Sequence, residues 1–144
     1  MTIDELIEMW KVDSKVDDLN VDLEGAGVPK LHSKYIQLLS EARRGLTDLQ
    51  FRKRVLFRNL REYYLGTASQ ELLAEMKRTP FLHRVLKNEV MTYIDSDEEY
   101  FTLEYKIAAR QERVDVLSEI MKSINSRNYS LTIIKDWKRL MLGG

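Results

Sequence analysis

Two long stretches in which apolar side chains recur at steps of three and four residues constrain the fold more than any other feature. The first runs from about residue 31 to 65 and the second from about residue 97 to 125. This spacing predicts amphipathic helices. The apolar positions are Leu39, Ala42, Leu46, Leu49, Leu56, Leu60 and Tyr63 in the first stretch, and Tyr100, Leu103, Ile107, Val114, Leu117, Met121 and Ile124 in the second. Each stripe has one charged member, Lys53 or Arg110.

We therefore predict an all-α fold, an elongated helical hairpin or bundle of two long helices plus shorter helices. The 144 residues form a single predicted domain. Its predicted parts are an acidic N-terminal arm (1–30), a basic long helix (31–66), connecting short helices (67–95), a second long helix (96–126) and a C-terminal oligomerisation helix (130–142).

Local signals place the ends of these predicted helices. Thr2 and Glu5 have capping-box spacing and predict a first helix from Ile3 to about Trp10. The run 25–29, Gly-Ala-Gly-Val-Pro, predicts a mostly irregular arm after it. Further signals are Gly66 as the stop of the first long helix, a short helix from Ser69 to about Arg78 ended by Pro80, a capping box of Ser96 and Glu99, and Ser130 as the cap of the last helix.

The last predicted helix is too short to be stable alone, yet one of its faces is strongly apolar. We expect this face to bury a contact with other copies of the chain. Its residues are Ile133, Ile134, Trp137, Leu140 and Met141.

The sequence offers no support for an enzyme. It contains no Cys and only two His, and no glycine-rich phosphate loop is present. The acidic run 95–99 and the pair Asp17-Asp18 invite a cation, but acids at a helix start more often complement the helix dipole. We predict no cofactor, no metal and no membrane span, since a span needs about 20 apolar residues, and we expect a soluble intracellular protein.

Positive charge is concentrated in residues 43–61, where seven bases face a single acid, Asp48. Arg54, Arg58 and Arg61 fall on one stripe of the predicted helix, with Arg52 and Lys53 beside it and Phe51 near the same face. Arginines pair with phosphates and exposed rings stack on bases, so the pattern favours single-stranded nucleic acid.

Two other interpretations of the basic stretch stay open at this point. One is a solvated basic face, paired with the acidic arm of the same or a neighbouring chain. The other is a helical structural or adaptor protein whose basic helix docks an acidic protein surface. Tyr63 belongs to the apolar stripe, and Tyr64 serves either stacking or helix packing, with packing favoured.

An ordered set of short motifs resembles the UvsY family of recombination mediators of large tailed phages. The segment 57–66, Phe-Arg-Asn-Leu-Arg-Glu-Tyr-Tyr-Leu-Gly, resembles the family's basic box followed by Tyr-Tyr-x-Gly. The segment 31–35, Leu-His-Ser-Lys-Tyr, resembles the family's start of the long helix, and 124–129, Ile-Asn-Ser-Arg-Asn-Tyr, resembles its closing motif. The resemblance covers almost the whole chain.

The resemblance implies a non-enzymatic recombination mediator that assembles into a closed ring of six or seven subunits. It implies three further partners: single-stranded DNA, a RecA-like phage recombinase, and the phage single-stranded-DNA-binding protein, which the mediator helps the recombinase to displace. It also implies a location in the cytoplasm of the infected bacterial host. Arg58 matches the first base of the family's box, whereas Leu60 precedes the second base, Arg61, instead of following it.

Overall fold

A computed structural model of the chain describes residues 1–17 and 19–143. Asp18, one of the two arm aspartates considered above for a cation, and Gly144 lie outside the described residues. Within the described residues the fold is all-helical, with no strand and with two long helices, as predicted. The helices are α1 (Ile3–Asp13), α2 (Val21–Tyr64), α3 (Gln70–Met76), α4 (Val90–Asp95), α5 (Glu98–Asn125) and α6 (Arg127–Met141).

The chain divides into two compact units, and α2 and α5 contribute to both. Unit 1 comprises Met1–Arg43 and Glu112–Gly144, and unit 2 comprises Arg44–Gln111. The single-domain organisation and the functional roles given to its parts stay predictions.

In unit 2, the later part of α2 packs antiparallel against the beginning of α5. Tyr64, at the end of α2, contacts Asp97, whereas Lys53, three turns earlier, contacts Glu104. The core of this unit joins the predicted apolar stripes to α4. Its buried members are Leu60, Val90, Ile94 and Tyr100.

In unit 1, α1 and α6 pack onto the remaining parts of the long helices. Leu6 of α1 is buried, and the ring of Trp10 meets the ring of Tyr35 edge-on at 5.3 Å. The buried guanidinium of Arg127, at the start of α6, donates to the carbonyl oxygens of Ser14 and Lys15, at 3.1 and 3.0 Å. Because the first residue of α6 is held in this way, the position of that helix in the unit is fixed.

The prediction that residues 11–30 are mostly irregular is wrong. The long helix begins at Val21 instead of near residue 31, and Pro29 lies inside it. A proline in a helix costs about 3 kcal/mol, so tertiary contacts must offset it. Two such contacts are available: Val28 is buried, and Glu24 accepts a hydrogen bond from Arg127 at 3.2 Å. These contacts cannot be read from local propensity.

Two of the predicted helix caps are also wrong. Ser96 donates its hydroxyl back to the carbonyl of Thr92, and the carboxylate of Asp97 accepts from the amide of Tyr100 to cap α5 instead. At the other end of α5, α6 begins at Arg127 and not after Ser130. Burial of Arg127 ties this turn to the core, so the helix begins earlier than the serine signal predicts.

The predicted short helix ends at Met76, where Lys77 adopts a left-handed φ of 56°, and not near Arg78 before Pro80. The other local predictions are confirmed. Thr2 and Glu5 form the predicted capping box, and Ser69 caps α3 by accepting from the amide of Leu72. Gly66 follows α2 with a φ of 75°, the left-handed conformation that glycine adopts without a Cβ clash. Among the described residues, no helix has the length and apolar character needed to cross a membrane.

Candidate nucleic-acid interface

A stripe of arginines lies on the exposed side of α2 in unit 2. Arg54, Arg58 and Arg61 follow one another at steps of four and three residues, so they lie on one side of the helix, about 5.4 Å apart per turn. All three side chains are exposed. None of the three forms an ion pair with another residue in 1–17 or 19–143. The stripe is therefore a row of positive charges open to an external anion.

Two apolar side chains lie among these arginines. Phe51 is 58% exposed and Val55 is 47% exposed. The guanidinium carbon of Arg54 lies 5.6 Å from the centre of the Phe51 ring, within the range of a cation–π contact. We call Phe51, Arg54, Val55, Arg58 and Arg61 together the outer face of α2. An exposed ring between guanidinium groups offers stacking to a base and charge to the adjacent phosphates.

Lys53, although predicted as a phosphate ligand, lies on a different side of the helix. It is half-buried, and its ammonium is 3.4 Å from a carboxylate oxygen of Glu104 and 5.5 Å from the centre of the Tyr100 ring. Since both partners belong to α5, Lys53 links the two long helices within unit 2. This explains its place in the apolar stripe, where a charged residue is otherwise unfavourable.

Arg52 also points away from the outer face. It lines an open cavity of about 580 Å³ between α2 and α5. The other lining residues are Leu56, Arg78, Glu98, Glu99, Thr102, Leu103 and Lys106. The mixture of acids and bases gives this cavity no clear preference for an anion. Of the five residues predicted to bind DNA, the structure thus brings three together and places two elsewhere.

A buried polar network supports the end of α2 that carries this face. The carboxylate of Asp97 accepts from the Tyr64 hydroxyl at 2.6 Å and from two guanidinium nitrogens of Arg78 at 2.7 and 3.0 Å. The Asp97 side chain is only 4% exposed. Arg78 also reaches Glu99 at 3.0 Å. A bidentate pair of this kind fixes the orientation of both side chains.

The protonation behaviour of this network follows from the same contacts. Burial alone would raise the pKa of Asp97, but hydrogen bonds from Arg78 and Tyr64 outweigh it and lower the pKa below its usual range. Burial and the hydrogen bond to Asp97 raise the pKa of Tyr64 to about 12. The ring of Tyr64 packs against the core of unit 2 and its hydroxyl is bonded to Asp97, which agrees with the packing alternative that the sequence favoured over stacking.

The exposed apolar surface of α6 is a second candidate interface. Leu131 is buried in unit 1, whereas Trp137 is 61% exposed and Leu140 is 70% exposed. Of the other residues predicted to form the oligomer contact, Ile133 and Met141 are exposed and Ile134 is half-buried. One side of α6 therefore packs against unit 1, and most of the predicted contact residues remain exposed.

The structure does not place a metal site at the acidic run. In the described ranges, 1–17 and 19–143, no cluster of three or more potential ligands is suitable for a metal ion. Asp97 is committed to Arg78 and Tyr64. The acidic run instead serves the start of α5, as its place before that helix suggested.

From the sequence, Phe51 was placed near the arginine stripe, but no role in binding was predicted for it. The signal was its spacing of three residues from Arg54 and seven from Arg58, which puts all three on one side of a helix. Its exposure could not be inferred from spacing alone, because a ring at such a position is as easily covered by a neighbouring element.

Comparison with known proteins gives a consistent result at the level of sequence. The family model described as "Recombination, repair and ssDNA binding protein UvsY" matches residues 9–144. The "Recombination protein uvsY" of Enterobacteria phage T4 is 21% identical over 143 residues, which cover 99% of this chain and 99% of that protein.

Solved structures agree on the fold. Crystal structures of the bacteriophage T4 recombination mediator protein UvsY in lattice types II, IV and I match with TM-scores of 0.86, 0.85 and 0.83. Their sequence identities to this chain are 22%, 20% and 20%. The matches cover 100%, 97% and 95% of this chain and 99%, 99% and 98% of those chains.

Proposed function

This chain belongs to the UvsY family, and on that premise we propose that it is a recombination mediator that binds single-stranded DNA through the outer face of α2. Family membership supports a role in recombination. The observation that carries the DNA contact is the row of exposed arginines, free of ion pairs with the described residues, around the exposed ring of Phe51. Arg54, Arg58 and Arg61 are the proposed phosphate ligands. Arg52 and Lys53 have at most a supporting part, because both face α5.

The proposed mediator acts as a closed ring of six or seven copies. The support is the exposed apolar surface of α6, formed by Ile133, Ile134, Trp137, Leu140 and Met141. Burial of such side chains contributes about 1.5–3 kcal/mol each, which favours association. One copy supplies only a few phosphate contacts. Several copies along one strand convert weak contacts into tight binding through high effective concentration.

Mediation requires no covalent chemistry in this proposal. The ring helps a RecA-like phage recombinase to displace the phage single-stranded-DNA-binding protein. It does so in the cytoplasm of the infected bacterial host. A strand wrapped on the ring is partly withdrawn from the competing protein and is presented to the recombinase. The physical requirement is a difference in affinity between the two nucleoprotein states, since a ligand shifts an equilibrium only by that difference.

The experiment that tests this proposal is a fluorescence anisotropy titration of a labelled single-stranded oligonucleotide with the purified protein, repeated over a range of salt concentrations. We expect binding in dilute buffer. The logarithm of the binding constant should fall linearly with the logarithm of the salt concentration, because each neutralised phosphate releases bound counterions. Absence of binding in dilute buffer would instead favour an adaptor whose basic helix docks an acidic protein surface. The same titration with recombinase and single-stranded-DNA-binding protein present tests mediation itself.

A further inference from the structure

A basic segment without helical structure joins α3 to α4. Residues 77–89, Lys-Arg-Thr-Pro-Phe-Leu-His-Arg-Val-Leu-Lys-Asn-Glu, contain four bases and one acid, Glu89. Arg78 is engaged by Asp97 and Glu99. The side chains of Lys77, Arg84 and Lys87 are exposed. None of these three has an ion pair with another described residue. We call residues 77–89 the connecting loop.

The connecting loop is anchored at three points, so its exposed bases are held near α2. Arg78 lies over the Tyr63 ring at 5.0 Å, and the Phe81 ring lies 4.9 Å from that of Tyr64. Val85 packs against the core formed by Leu60 and its neighbours. Because Leu60 and Tyr64 belong to the same turns of α2 as Arg58 and Arg61, the loop and the arginine stripe share one end of unit 2.

Aromatic rings are gathered at the same place. Phe81 contacts four rings, with centre-to-centre distances of 5.7 Å to Tyr63, 4.9 Å to Tyr64, 5.4 Å to His83 and 5.7 Å to Tyr93. His83 is exposed and Tyr93 is 38% exposed. The cluster therefore has a buried side, which holds the loop on α2, and an accessible side that can receive a further ring.

The loop backbone is also available for contacts. Within the described residues, the amides from Phe81 to Lys87 donate no hydrogen bond to the protein. Backbone amides are regular donors to phosphate oxygens at protein–nucleic acid interfaces. The loop thus combines exposed basic side chains, backbone amides without a protein acceptor, and accessible rings. The basic side chains and amides suit the phosphates of a single strand, and the rings suit its nucleobases.

We propose that the connecting loop is a second contact site for single-stranded nucleic acid, in which Arg84 and Lys87 bind phosphates and a base packs against the accessible rings of His83 and Tyr93. This inference rests on the proposed function, since it assigns a second site to the strand that the outer face of α2 is proposed to bind. The loop also exposes Leu82 and Leu86. A protein partner is the less favoured occupant, because the polar side chains of His83 and Arg84 stand between these leucines in the sequence.

The test compares three double variants with the wild-type protein by anisotropy titration of a fluorescein-labelled oligothymidine at several salt concentrations. Arg84→Ala with Lys87→Ala changes the connecting loop, and Arg54→Ala with Arg58→Ala changes the outer face of α2. Lys15→Ala with Lys30→Ala is the control. It removes the same charge from two exposed lysines of unit 1.

For the connecting-loop variant we expect weaker binding and a salt slope that is shallower by about 1.4 per chain, from two lost contacts at about 0.7 each. We expect wild-type binding from the control and unchanged helicity in all variants. An unchanged slope in the loop variant would overturn this inference, as would an equal loss in the control, which would indicate a net-charge effect. If the outer-face variant alone is unaffected, the proposed function fails instead.

Ultraviolet crosslinking to the same oligothymidine supplies an independent measurement. Trypsin cuts after Arg78 and Arg84, so residues 79–84 form one peptide that contains Phe81 and His83. We expect a crosslinked nucleotide on this peptide, reduced in His83→Ala. Crosslinks confined to peptides of α2 would contradict a base at the loop.

Discussion

The outer face of α2 and the exposed face of α6 are exposed to a similar degree, but exposure is evidence for an interaction only at α6. Phe51 is 58% exposed and Trp137 is 61% exposed. Around Phe51 the neighbours are Val55 and arginines, and the guanidinium groups are well solvated by water without a protein partner. Around Trp137 they are apolar side chains such as Leu140, and contiguous apolar exposure of this kind marks an interaction site.

The two surfaces therefore require different kinds of evidence for an interaction. For α6, the free energy of burial is itself an argument that the surface is covered in the functional state. For α2, exposure of charged side chains is not evidence of binding by itself. The proposed DNA contact depends instead on the one-turn spacing of the arginines, the exposed ring among them and the absence of ion pairs with the described residues. If the two surfaces have separate roles, a substitution on one should leave the role of the other unchanged.

The largest expected effect concerns the support beneath the outer face of α2. Asp97→Ala should lower the free energy of unfolding by about 3 kcal/mol, because it leaves the mostly buried guanidinium of Arg78 without its bidentate partner. Urea denaturation followed by circular dichroism measures this. Glu99→Ala is the matched control: it removes a carboxylate that contacts the same guanidinium but is 57% exposed. We expect a loss below about 1 kcal/mol there, and equal losses would contradict the role given to burial.

The second effect concerns self-association through the exposed face of α6. Trp137→Ala should weaken self-association by about 2 kcal/mol, roughly thirtyfold, as expected for a central aromatic residue of an interface. Sedimentation velocity at several concentrations measures it. Asp136→Ala, an exposed polar neighbour on α6, serves as control. An assembly that stays intact in Trp137→Ala would refute the assignment of this face.

A smaller loss of stability is expected on acidification. The folded pKa of Asp97 is lowered, so its contribution is fully present above the unfolded pKa, about 3.9. It is lost as pH falls below about 4 and through the lowered folded value. Urea denaturation between pH 7 and pH 3 should show this loss. Asp97→Asn should flatten the acid dependence, and a wild-type slope in that variant would contradict the assignment.

The smallest effect concerns the exposed ring on the outer face of α2. Phe51→Ala should weaken oligonucleotide binding by about 1 kcal/mol, roughly fivefold, if a base stacks on this ring. Self-association should not change, because Phe51 is not part of α6. Val55→Ala, which removes an exposed apolar neighbour without a ring, is the control. Equal effects of the two substitutions would indicate general contact instead of stacking.

Local patterns in the sequence predicted much of the fold but not the contacts that link distant segments. The apolar stripes, the Thr2 cap and the stop at Gly66 depend on near neighbours, and the structure contains them. The start of α2 at Val21 depends instead on Arg127, far along the chain, which bonds to Glu24. No periodicity signals such a pair.

The same distinction applies to the candidate interface. Spacing alone put Arg54, Arg58 and Arg61 on one stripe, and the structure agrees. Spacing could not show that Lys53 meets Glu104 or that the connecting loop lies against the end of α2, because both depend on tertiary packing. Whether these arginines bind DNA stays a prediction.

The most direct test of the central proposal is sedimentation velocity of a labelled single-stranded oligonucleotide with the wild-type protein and with the Arg54→Ala, Arg58→Ala double variant. We predict that the wild-type protein sediments with the oligonucleotide as one complex of several copies per strand. We predict that the variant keeps its assembly but leaves most of the oligonucleotide free. A monomeric wild-type protein that ignores the oligonucleotide in dilute buffer, or a variant that binds as tightly as wild type, would contradict the proposal.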